Sequence, residues 1–526
     1  MINSSWFTTA YDYSGPAEVV FEDPHAEFFG PASVGPDEYG RPVVEITVEH
    51  SIPAILEGFD LAAIQLGSKT LPDGVQIISL GGGAPNRARV TVKAKEGVFK
   101  SAPSWEYRFS DMSPDTPLTL RLTPMKSEYT VDALAREKFM VLPLSGFVSE
   151  SPKLSTVLRG HPLCVPGGVD SDTTRCITFQ VNGEMAFIQQ LPSVDEGGVG
   201  IKPWSGETVL TAVAVVPIAD PAMTDPWGWF LNVFLRLLDL ASGSRVGTPW
   251  IEVRDENGRL ARRLHFAINQ VQRSVEGYGA IQEAIHWCNG EFLTTALSSA
   301  EAREPFFSIA LRHCFRAGLP GLSIDDQLAH LIRALECLCK RYGFSKQDLT
   351  DGFAPGSKNA VEGVLSTAGA DIQKIAGTMI DPGREQVLRI AERTRSAAQK
   401  EQDFGLALRK LTGHFGLLDL DVLEPYYATH PGPGGRNWVR LLSYYRGAVF
   451  HEGYLDLDSP ATPVGEVLGF ILHLHDLLVR ILLKIIGYRG TYQPRSIRAT
   501  AAETVDWFRP GVNVGALLRV PTMGIK

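Results

Sequence analysis

The chain has 526 residues, 44% of them hydrophobic and 21% charged, which excludes a disordered or fibrous protein and exceeds what one hydrophobic core usually supports. The formal net charge is −9, and the acidic excess lies in residues 1–275, with 23 Lys and Arg against 32 Asp and Glu, because residues 276–526 carry 27 of each. This balance argues against a broad basic face for nucleic acid, although folding can still concentrate a few arginines locally.

Cysteine usage and hydropathy both indicate a cytoplasmic protein. The six cysteines form no CxxC pair and no zinc-type spacing with histidine, so we expect reduced core thiols and no metal. The N-terminus lacks the basic region and apolar block of a signal peptide. The longest apolar helix candidate is interrupted by Glu466, Asp476, Arg480 and Lys484, which argues against a membrane span and against a membrane partner.

The first half of the chain is rich in β-strand patterns. From about residue 40 to 220, short β-branched and aromatic runs are separated by turn residues, which predicts an antiparallel sandwich or barrel. Asn182-Gly183 lies between two alternating strands and predicts a type I′ hairpin. We assign residues 1–225 to this N-terminal domain. Residues 226–275 read as a helix in "WGWFLNVFLRLLDLASG" and a hairpin turning at Asn257-Gly258, which close the first domain.

After residue 276 the periodicity becomes helical and stays so. Several signals mark helix ends: Ser323 as an N-cap with Asp326 three residues on, Gly343 as a stop, a long helix over about 383–412, a helix starting near Trp438, and a last helix opened by Thr462-Pro463 and ended by Gly487. The predicted fold class is therefore α+β multidomain. An antiparallel β-sandwich-like domain precedes an all-α bundle over residues 276–526.

The stretch "SYYRGAVFHEGYLD" places Arg446 and His451 among aromatic and aliphatic residues, where charged groups need a partner or a function. Gly453 is suited to the left-handed conformation that closes a helix. His451 would then lie at the negative end of the helix dipole, which favours the protonated form and acid–base chemistry near neutral pH. A structural alternative is that His451 satisfies free carbonyls and Arg446 pairs with a carboxylate of the bundle.

Two further Arg–His pairs have a similar spacing. Arg259 and His265 fall on a predicted strand, where six residues span about 20 Å, too far to share one phosphate. Arg409 and His414 lie near a helix end and form a minor alternative pair. Gly413 is predicted to end that helix and to leave His414 in a loop.

An arginine followed by four residues and a histidine is the signature of the HEPN superfamily, and "NWVRLLSYYRGAVFHEGYLD" resembles its motif helix. The segment "LAHLIRALECLCKRYGF" is similar to the "alE" helix of that superfamily. The segment "LLVRILLKIIGYRGTY" resembles the closing helix that follows the motif in large bacterial ApeA-like HEPN proteins. The resemblance covers about residues 276–495, and the β-rich half before it also fits the ApeA-like layout.

The resemblance implies a metal-independent endoribonuclease that needs no cofactor and acts in antiphage defence by abortive infection. An RNA 2′-hydroxyl would attack its own 3′-phosphate and leave 2′,3′-cyclic phosphate and 5′-hydroxyl ends. His451 would act as general base or acid, and Arg446 would stabilise the charge of the phosphorane. The N-terminal domain would serve as a sensor or regulatory lid that responds to a phage-derived trigger.

The helix geometry favours two copies of the chain. Five residues of an α-helix rotate by about 500°, so Arg446 and His451 would point about 140° apart. HEPN nucleases typically build a composite site from two bundles, which implies a homodimer here. Tyr444, Tyr445 and Glu452 flank the pair and would orient it or stack on a base, with core packing as the alternative for the aromatic residues.

One position departs from the superfamily pattern. Gly447 follows the motif arginine, where ribonuclease members usually carry Asn, Asp or His, and this puts the positioning of the site in question. The main rival is a catalytically silent HEPN protein that binds RNA, nucleotide or a protein partner. A scaffold with a structural Arg446 and His451 is a second rival. The β-sandwich and nine tryptophans would also suit a carbohydrate-active enzyme, but no carboxylate pair supports that activity.

Overall fold

A computed structural model describes residues 13–22, 25–37, 42–48, 65–70, 76–81, 88–101, 107–110, 118–124, 126–132, 134–147, 176–191, 209–225, 228–242, 245–266, 288–319, 321–348, 353–397, 399–401, 404–417, 438–457, 464–492 and 503–504.

The first half of the chain forms strands, with a few more in the second half. The strands are β1 (Tyr13–Glu22), β2 (His25–Pro36), β3 (Pro42–Val48), β4 (Gln65–Thr70), β5 (Gln76–Gly81), β6 (Ala88–Lys93), β7 (Val98–Ser101), β8 (Tyr107–Ser110), β9 (Leu118–Leu122), β10 (Lys126–Thr130), β11 (Glu137–Ser145), β12 (Cys176–Val181), β13 (Glu184–Gln190), β14 (Leu210–Pro217), β15 (Trp250–Asp255), β16 (Leu260–Phe266), β17 (Lys346–Asp348), β18 (Gln399–Glu401), β19 (Thr491–Tyr492) and β20 (Glu503–Thr504).

The first sixteen strands form one antiparallel sheet in the order β12-β13-β14-β11-β15-β16-β10-β7-β6-β1-β2-β3-β9-β8-β5-β4. The hairpin predicted at Asn182-Gly183 is confirmed, because both residues have positive φ (51° and 82°), as a type I′ turn requires. The hairpin predicted at Asn257-Gly258 joins β15 to β16 and is also confirmed. The Asp255 carboxylate accepts the Asn257 and Arg259 N–H groups and so fixes this second turn.

The helices lie mainly in the second half of the chain. They are α1 (Trp229–Ser242), α2 (Cys288–Ser298), α3 (Pro305–Ala317), α4 (Ile324–Arg341), α5 (Pro355–Ala376), α6 (Gly383–Arg395), α7 (Phe404–His414), α8 (Trp438–Gly447) and α9 (Val464–Ile485). No helix in the described part of the chain is both long and apolar enough to cross a bilayer.

The predicted ends of α4 and the predicted C-terminal end of α9 are confirmed, whereas Thr462-Pro463, which was predicted to open α9, lies outside the described residues. Ser323 caps α4, with its hydroxyl accepting the Asp326 N–H at 3.1 Å, and Gly343 takes a φ of 74° two residues after the helix. Gly487 takes a φ of 79° just after α9. The helix ends that follow directly from capping chemistry are therefore the ones that the sequence predicts well.

The long helix predicted over 383–412 is wrong. Two helices, α6 and α7, replace it, and the polar run between them forms β18, which pairs with β17. The run Gln399–Glu401 is compatible with a helix in isolation, so its long-range pairing with Lys346–Asp348 decides its conformation. The bundle predicted to be all-α therefore also contains two short strand pairs, β17–β18 and β19–β20.

Two hydrophobic clusters occupy the described part of the molecule. One lies within β1, β2, β3, β6, β7, β9 and β10, and includes Val19, Ile46 and Phe99. The other joins strands β11 to β16 to helices α1 to α4 and α7 to α9 in one continuous core. The predicted domain boundaries at residues 225 and 275 fall within the sequence span of this second cluster, so the helices share their core with part of the sheet.

A charged network is buried where the sheet curls. The carboxylate of Glu252 accepts hydrogen bonds from Arg263 at 2.8 Å and from Nε of Arg254 at 2.9 Å. Arg263 also donates to the Tyr13 hydroxyl at 2.8 Å, although β1 and β16 are four positions apart in the sheet order. Burial alone would raise the pKa of Glu252, but the charges of Arg263 and Arg254 outweigh it and lower the pKa to about 2.

We expect Glu252→Gln to lower the free energy of unfolding by about 3 kcal/mol, because it leaves two buried guanidinium groups facing a neutral amide. Since the folded pKa lies below the usual 4.5, this carboxylate stabilises the fold above pH 4.5, and its contribution is lost as the pH falls through 2. Urea unfolding at neutral pH measures the change. Glu385→Gln breaks the exposed Glu385–Arg389 pair of α6 and is the matched control, with an expected loss of less than about 0.5 kcal/mol. Equal effects of the two substitutions would contradict the buried-network assignment.

Candidate active site

Arg446 and His451 lie in residues 438–457, which we call the motif segment. This segment begins as an α-helix and continues as a π turn. Helix α8 covers Trp438–Gly447, and residues Ala448–Glu452 continue it with the wider π geometry. The Gly453 N–H donates to the Ala448 carbonyl at 2.9 Å, an i→i+5 bond, and Gly453 has a φ of 88°. The predicted closing role of Gly453 is therefore confirmed, and π turns of this kind occur frequently at functional sites.

The π turn changes the relation between Arg446 and His451. The bonding partner in a π turn is five residues away, so each residue rotates the chain less than the 100° of an α-helix. The divergence between the two side chains is therefore smaller than the 140° that a regular α-helix would give. His451 lies within the turn and is exposed to solvent.

Arg446 is held by two neighbours from other helices. Its Nε donates to the Glu336 carboxylate on α4 at 2.6 Å, and its guanidinium carbon lies 5.5 Å from the ring centre of Phe404, the first residue of α7. The side chains of Arg446 and Glu336 are 35% and 36% exposed. The remaining guanidinium N–H groups have no hydrogen bond within the described part of the chain, so this arginine is oriented yet still available to an anion.

Helix α4 contacts the motif segment at three successive points. Besides Glu336, the Asp325 carboxylate accepts the Leu455 N–H at 3.1 Å, and the Arg333 guanidinium lies 5.6 Å from the ring centre of Phe450. The apolar face of α4 is buried in the core. The motif segment therefore runs antiparallel along a fixed helix.

The flanking residues have different surroundings. Tyr444 is 43% exposed, and Glu452 is exposed beside His451. Tyr445 is fully buried, with its ring 5.3 Å from that of Phe470, so it packs in the core and is out of reach of a base. The Tyr454 ring, which the sequence did not single out, is 60% exposed just after the turn.

The minor pair Arg409 and His414 lies on one helix, because α7 extends through His414 and Gly416 takes the left-handed conformation. The prediction that Gly413 leaves His414 in a loop is therefore wrong. The His414 ring lies among aromatic rings of Tyr342, Phe344 and Phe415. Arg446 lies against Phe404 at the start of α7, and the ten residues from Phe404 to His414 span about 15 Å. His414 therefore lies at the opposite end of α7 from the residue that contacts Arg446.

The pair Arg259 and His265 is split between surface and core. Arg259 is exposed in the β15–β16 turn, and His265 is fully buried in β16 with its Nε2 3.3 Å from the Tyr13 hydroxyl. As the strand geometry predicted, these two side chains are not placed to share one phosphate.

Sequence reasoning missed Glu336 as a site residue. The signal was present, since Glu336 is the one carboxylate of α4 beyond its first turn and belongs to the quoted "alE" segment. Its pairing with a residue 110 positions later could not be read from spacing. Among the described residues, no three His, Cys, Asp or Glu side chains are grouped to hold a metal ion.

Comparison of the chain with protein-family models, with curated proteins and with solved structures gives no match.

Gly447 offers a direct test of the local geometry. It has helical dihedral angles (φ −56°, ψ −53°), and an added Cβ would meet nothing within 4 Å. We expect Gly447→Ala to raise the free energy of unfolding by about 0.5–1 kcal/mol, because a helical glycine costs that much relative to alanine. Thermal and urea unfolding measure it. Gly453→Ala is the matched contrast and should lower stability by roughly 1 kcal/mol, because its φ of 88° strains an L-residue. A stabilising Gly453→Ala would contradict the closing turn.

Proposed function

We propose that the chain is a metal-independent HEPN endoribonuclease whose active site contains Arg446 and His451. The observation that carries the proposal is the arrangement of Arg446, which is anchored through Nε by Glu336 while His451 projects from the adjoining π turn into solvent. An oriented guanidinium beside an accessible imidazole is what phosphoryl chemistry on RNA requires. The resemblance of the motif helix to the HEPN signature supports the same activity.

The chemistry needs no group from outside the chain and its substrate. His451 in its neutral form takes the proton of the ribose 2′-hydroxyl, and the freed oxygen forms a bond to the adjacent phosphorus. The bond from phosphorus to the 5′-oxygen breaks, and that oxygen takes up a proton, which leaves a 2′,3′-cyclic phosphate and a 5′-hydroxyl. Arg446 donates to the phosphate oxygens, whose negative charge increases in the transition state.

We propose further that the protein acts as a cytoplasmic homodimer. One histidine cannot accept the 2′-hydroxyl proton and protonate the leaving oxygen at the same moment, so the same residue of a second copy suits the second role. The sixteen-stranded sheet would fold as a sandwich-like regulatory domain that responds to a phage-derived trigger and restrains the nuclease in abortive infection. One hydrophobic cluster has all its buried residues in strands β1, β2, β3, β6, β7, β9 and β10, which supports a sheet that packs on itself.

A catalytically silent HEPN protein that binds RNA, nucleotide or a protein partner is the second candidate. The observation that favours it is Gly447, which leaves open space where ribonuclease members carry a polar side chain. Nothing in the described part of the chain packs against this position, so a polar side chain would fit there if the sequence supplied one.

The decisive test compares the intact protein, His451→Ala and His414→Ala in cells, with and without phage infection. We expect His451→Ala to abolish growth arrest and RNA cleavage, because cleavage loses its general base, while His414→Ala acts like the intact protein. Thermal melting of the purified variants checks folding, and both histidines are exposed, so neither substitution should unfold the chain. Cleavage ends are identified by their resistance to 5′-phosphate-dependent exonuclease. An undiminished cleavage by His451→Ala would reject the nuclease site, and intact RNA in every arm would favour the silent candidate.

Glu336→Gln tests the anchoring of Arg446. We expect RNA cleavage to fall about 100-fold, because a guanidinium that is displaced by about 1 Å stabilises the transition state poorly. The free energy of unfolding should fall by less than about 1 kcal/mol, since the pair is one-third exposed. Glu301→Gln removes a similarly exposed carboxylate that faces Arg341 at the end of α4 and serves as the control. Equal cleavage by the two variants would show that the Glu336 contact is only structural.

A further inference from the structure

Five arginines and two histidines gather on the surface formed by α1, the segment that follows it, α3 and α4, next to the candidate active site. We call this surface the arginine track, and its members are Arg236, Arg245, Arg312, His313, Arg316, His330 and Arg333. Partial burial, together with the charges of Arg312, Arg236 and Arg245, lowers the pKa of Arg316. Arg312 and Arg316 are one turn apart on α3, and the 2.9 Å contact between His313 of α3 and His330 of α4 brings them near Arg333, one turn beyond His330.

The positive charge of the track is largely uncompensated. Within the described part of the chain, Arg236 pairs with Asp239, whereas Arg245, Arg312, Arg316 and Arg333 make no ion pair. The chain as a whole has a net charge of −9, so the local excess of cations is a specific feature of this surface. Like charges held together without counter-charges create a potential that attracts anions.

A histidine pair lies within the track. Nδ1 of His313 lies 2.9 Å from Nδ1 of His330, and both side chains are half-buried. Burial, together with His330 and the surrounding arginines, lowers the pKa of His313 to about 4, so the His313 imidazole is neutral at pH 7, and burial and the same arginines also lower the pKa of His330.

The groups that face this pair are Arg312, Arg316 and Arg333 on the positive side and Asp326 on the negative side. An anion among the arginines would reverse the local field and raise the pKa of the pair, so that an added proton would strengthen anion binding.

The track continues into the candidate active site. The Arg333 guanidinium covers the ring of Phe450, the residue before His451, and Glu336 one turn further along α4 holds Arg446. His330 lies six residues of α4 before Glu336, which corresponds to about 9 Å along the helix. Tyr444, Phe450 and Tyr454 expose aromatic rings along the motif segment.

We infer that the arginine track binds the phosphate backbone of single-stranded RNA and leads it to Arg446 and His451, an inference that rests on the proposed function. Guanidinium groups bind phosphates through paired N–H donors, and exposed aromatic rings stack on bases that are not paired in a duplex. Cationic groups next to exposed aromatic rings fit a single strand, because the bases of a duplex are stacked on one another and cannot stack on protein side chains.

The test measures binding of a labelled 2′-O-methyl RNA of about 12 nucleotides, which resists 2′-hydroxyl attack, as a function of salt. The variant Arg312→Ala/Arg316→Ala removes two exposed phosphate contacts. Each contact to a single strand contributes a slope of about −0.7 in log K against log salt, so the slope should become less steep by about 1.4 and the affinity at 0.1 M salt should fall about 20-fold. The intact protein should also bind more tightly at pH 5.5 than at pH 7.5, and His313→Gln/His330→Gln should remove part of that difference.

The control variant Arg384→Ala/Arg393→Ala removes the same charge from exposed positions of α6, and its binding should match that of the intact protein after correction for net charge. An unchanged slope in Arg312→Ala/Arg316→Ala, or no binding of the intact protein at 0.05 M salt, would overturn the arginine track. His451→Ala separates this result from the proposed function, because it should bind the probe normally and cleave unmodified RNA no longer. If His451→Ala cleaves normally while the arginine variant loses binding, the track stands and the nuclease site is rejected.

Discussion

The candidate site depends on the contact between Arg446 and Glu336, and that contact depends on the burial of α4. A one-third-exposed ion pair contributes at most about 1 kcal/mol by itself. Helix α4, by contrast, buries Leu328, Leu331, Leu335 and Leu338 in the core, and each such side chain contributes about 1.5–3 kcal/mol. The core therefore fixes the position of Glu336, and Glu336 fixes the direction of the guanidinium. The precision of the site comes from apolar packing on the opposite face of the same helix.

The chain after Arg446 contains a local irregularity, the π turn, which changes the angle between the directions of two side chains. A regular α-helix would direct His451 away from the arginine, and the π turn reduces that divergence by inserting one extra residue per turn. Two contacts hold the turn on its C-terminal side, the Gly453–Ala448 hydrogen bond within the segment and the Asp325–Leu455 hydrogen bond from α4. An irregular backbone of this kind persists only when its surroundings determine it.

How well the sequence predicts a feature of this structure depends on how far apart along the chain the interacting residues are. Local chemistry was enough for the Asn182-Gly183 hairpin, the Ser323 cap and the closing glycine at Gly453, because each is decided within a few residues. The sequence did not predict the break between α6 and α7, because Gln399–Glu401 forms a strand through its pairing with the distant Lys346–Asp348. The Glu336–Arg446 pair and the His313–His330 contact join separate helices, and one-dimensional periodicity carries no information about which helix faces lie side by side.

Strands β11–β16 and the helices share one continuous core. This core determines where the chain could be cut and recombined with another protein without exposing apolar surface. A recombination junction placed where the pattern changes from strand to helix would separate strands such as β14 from the helical side chains that cover them, and would leave both surfaces exposed to water. A junction between β10 and β11 would instead cut between the two clusters, crossing mainly the β10–β16 pairing and the Tyr13–Arg263 contact. The unit that shares one core is thus the helical bundle together with its adjoining half of the sheet, whereas the far half of the sheet has a core of its own.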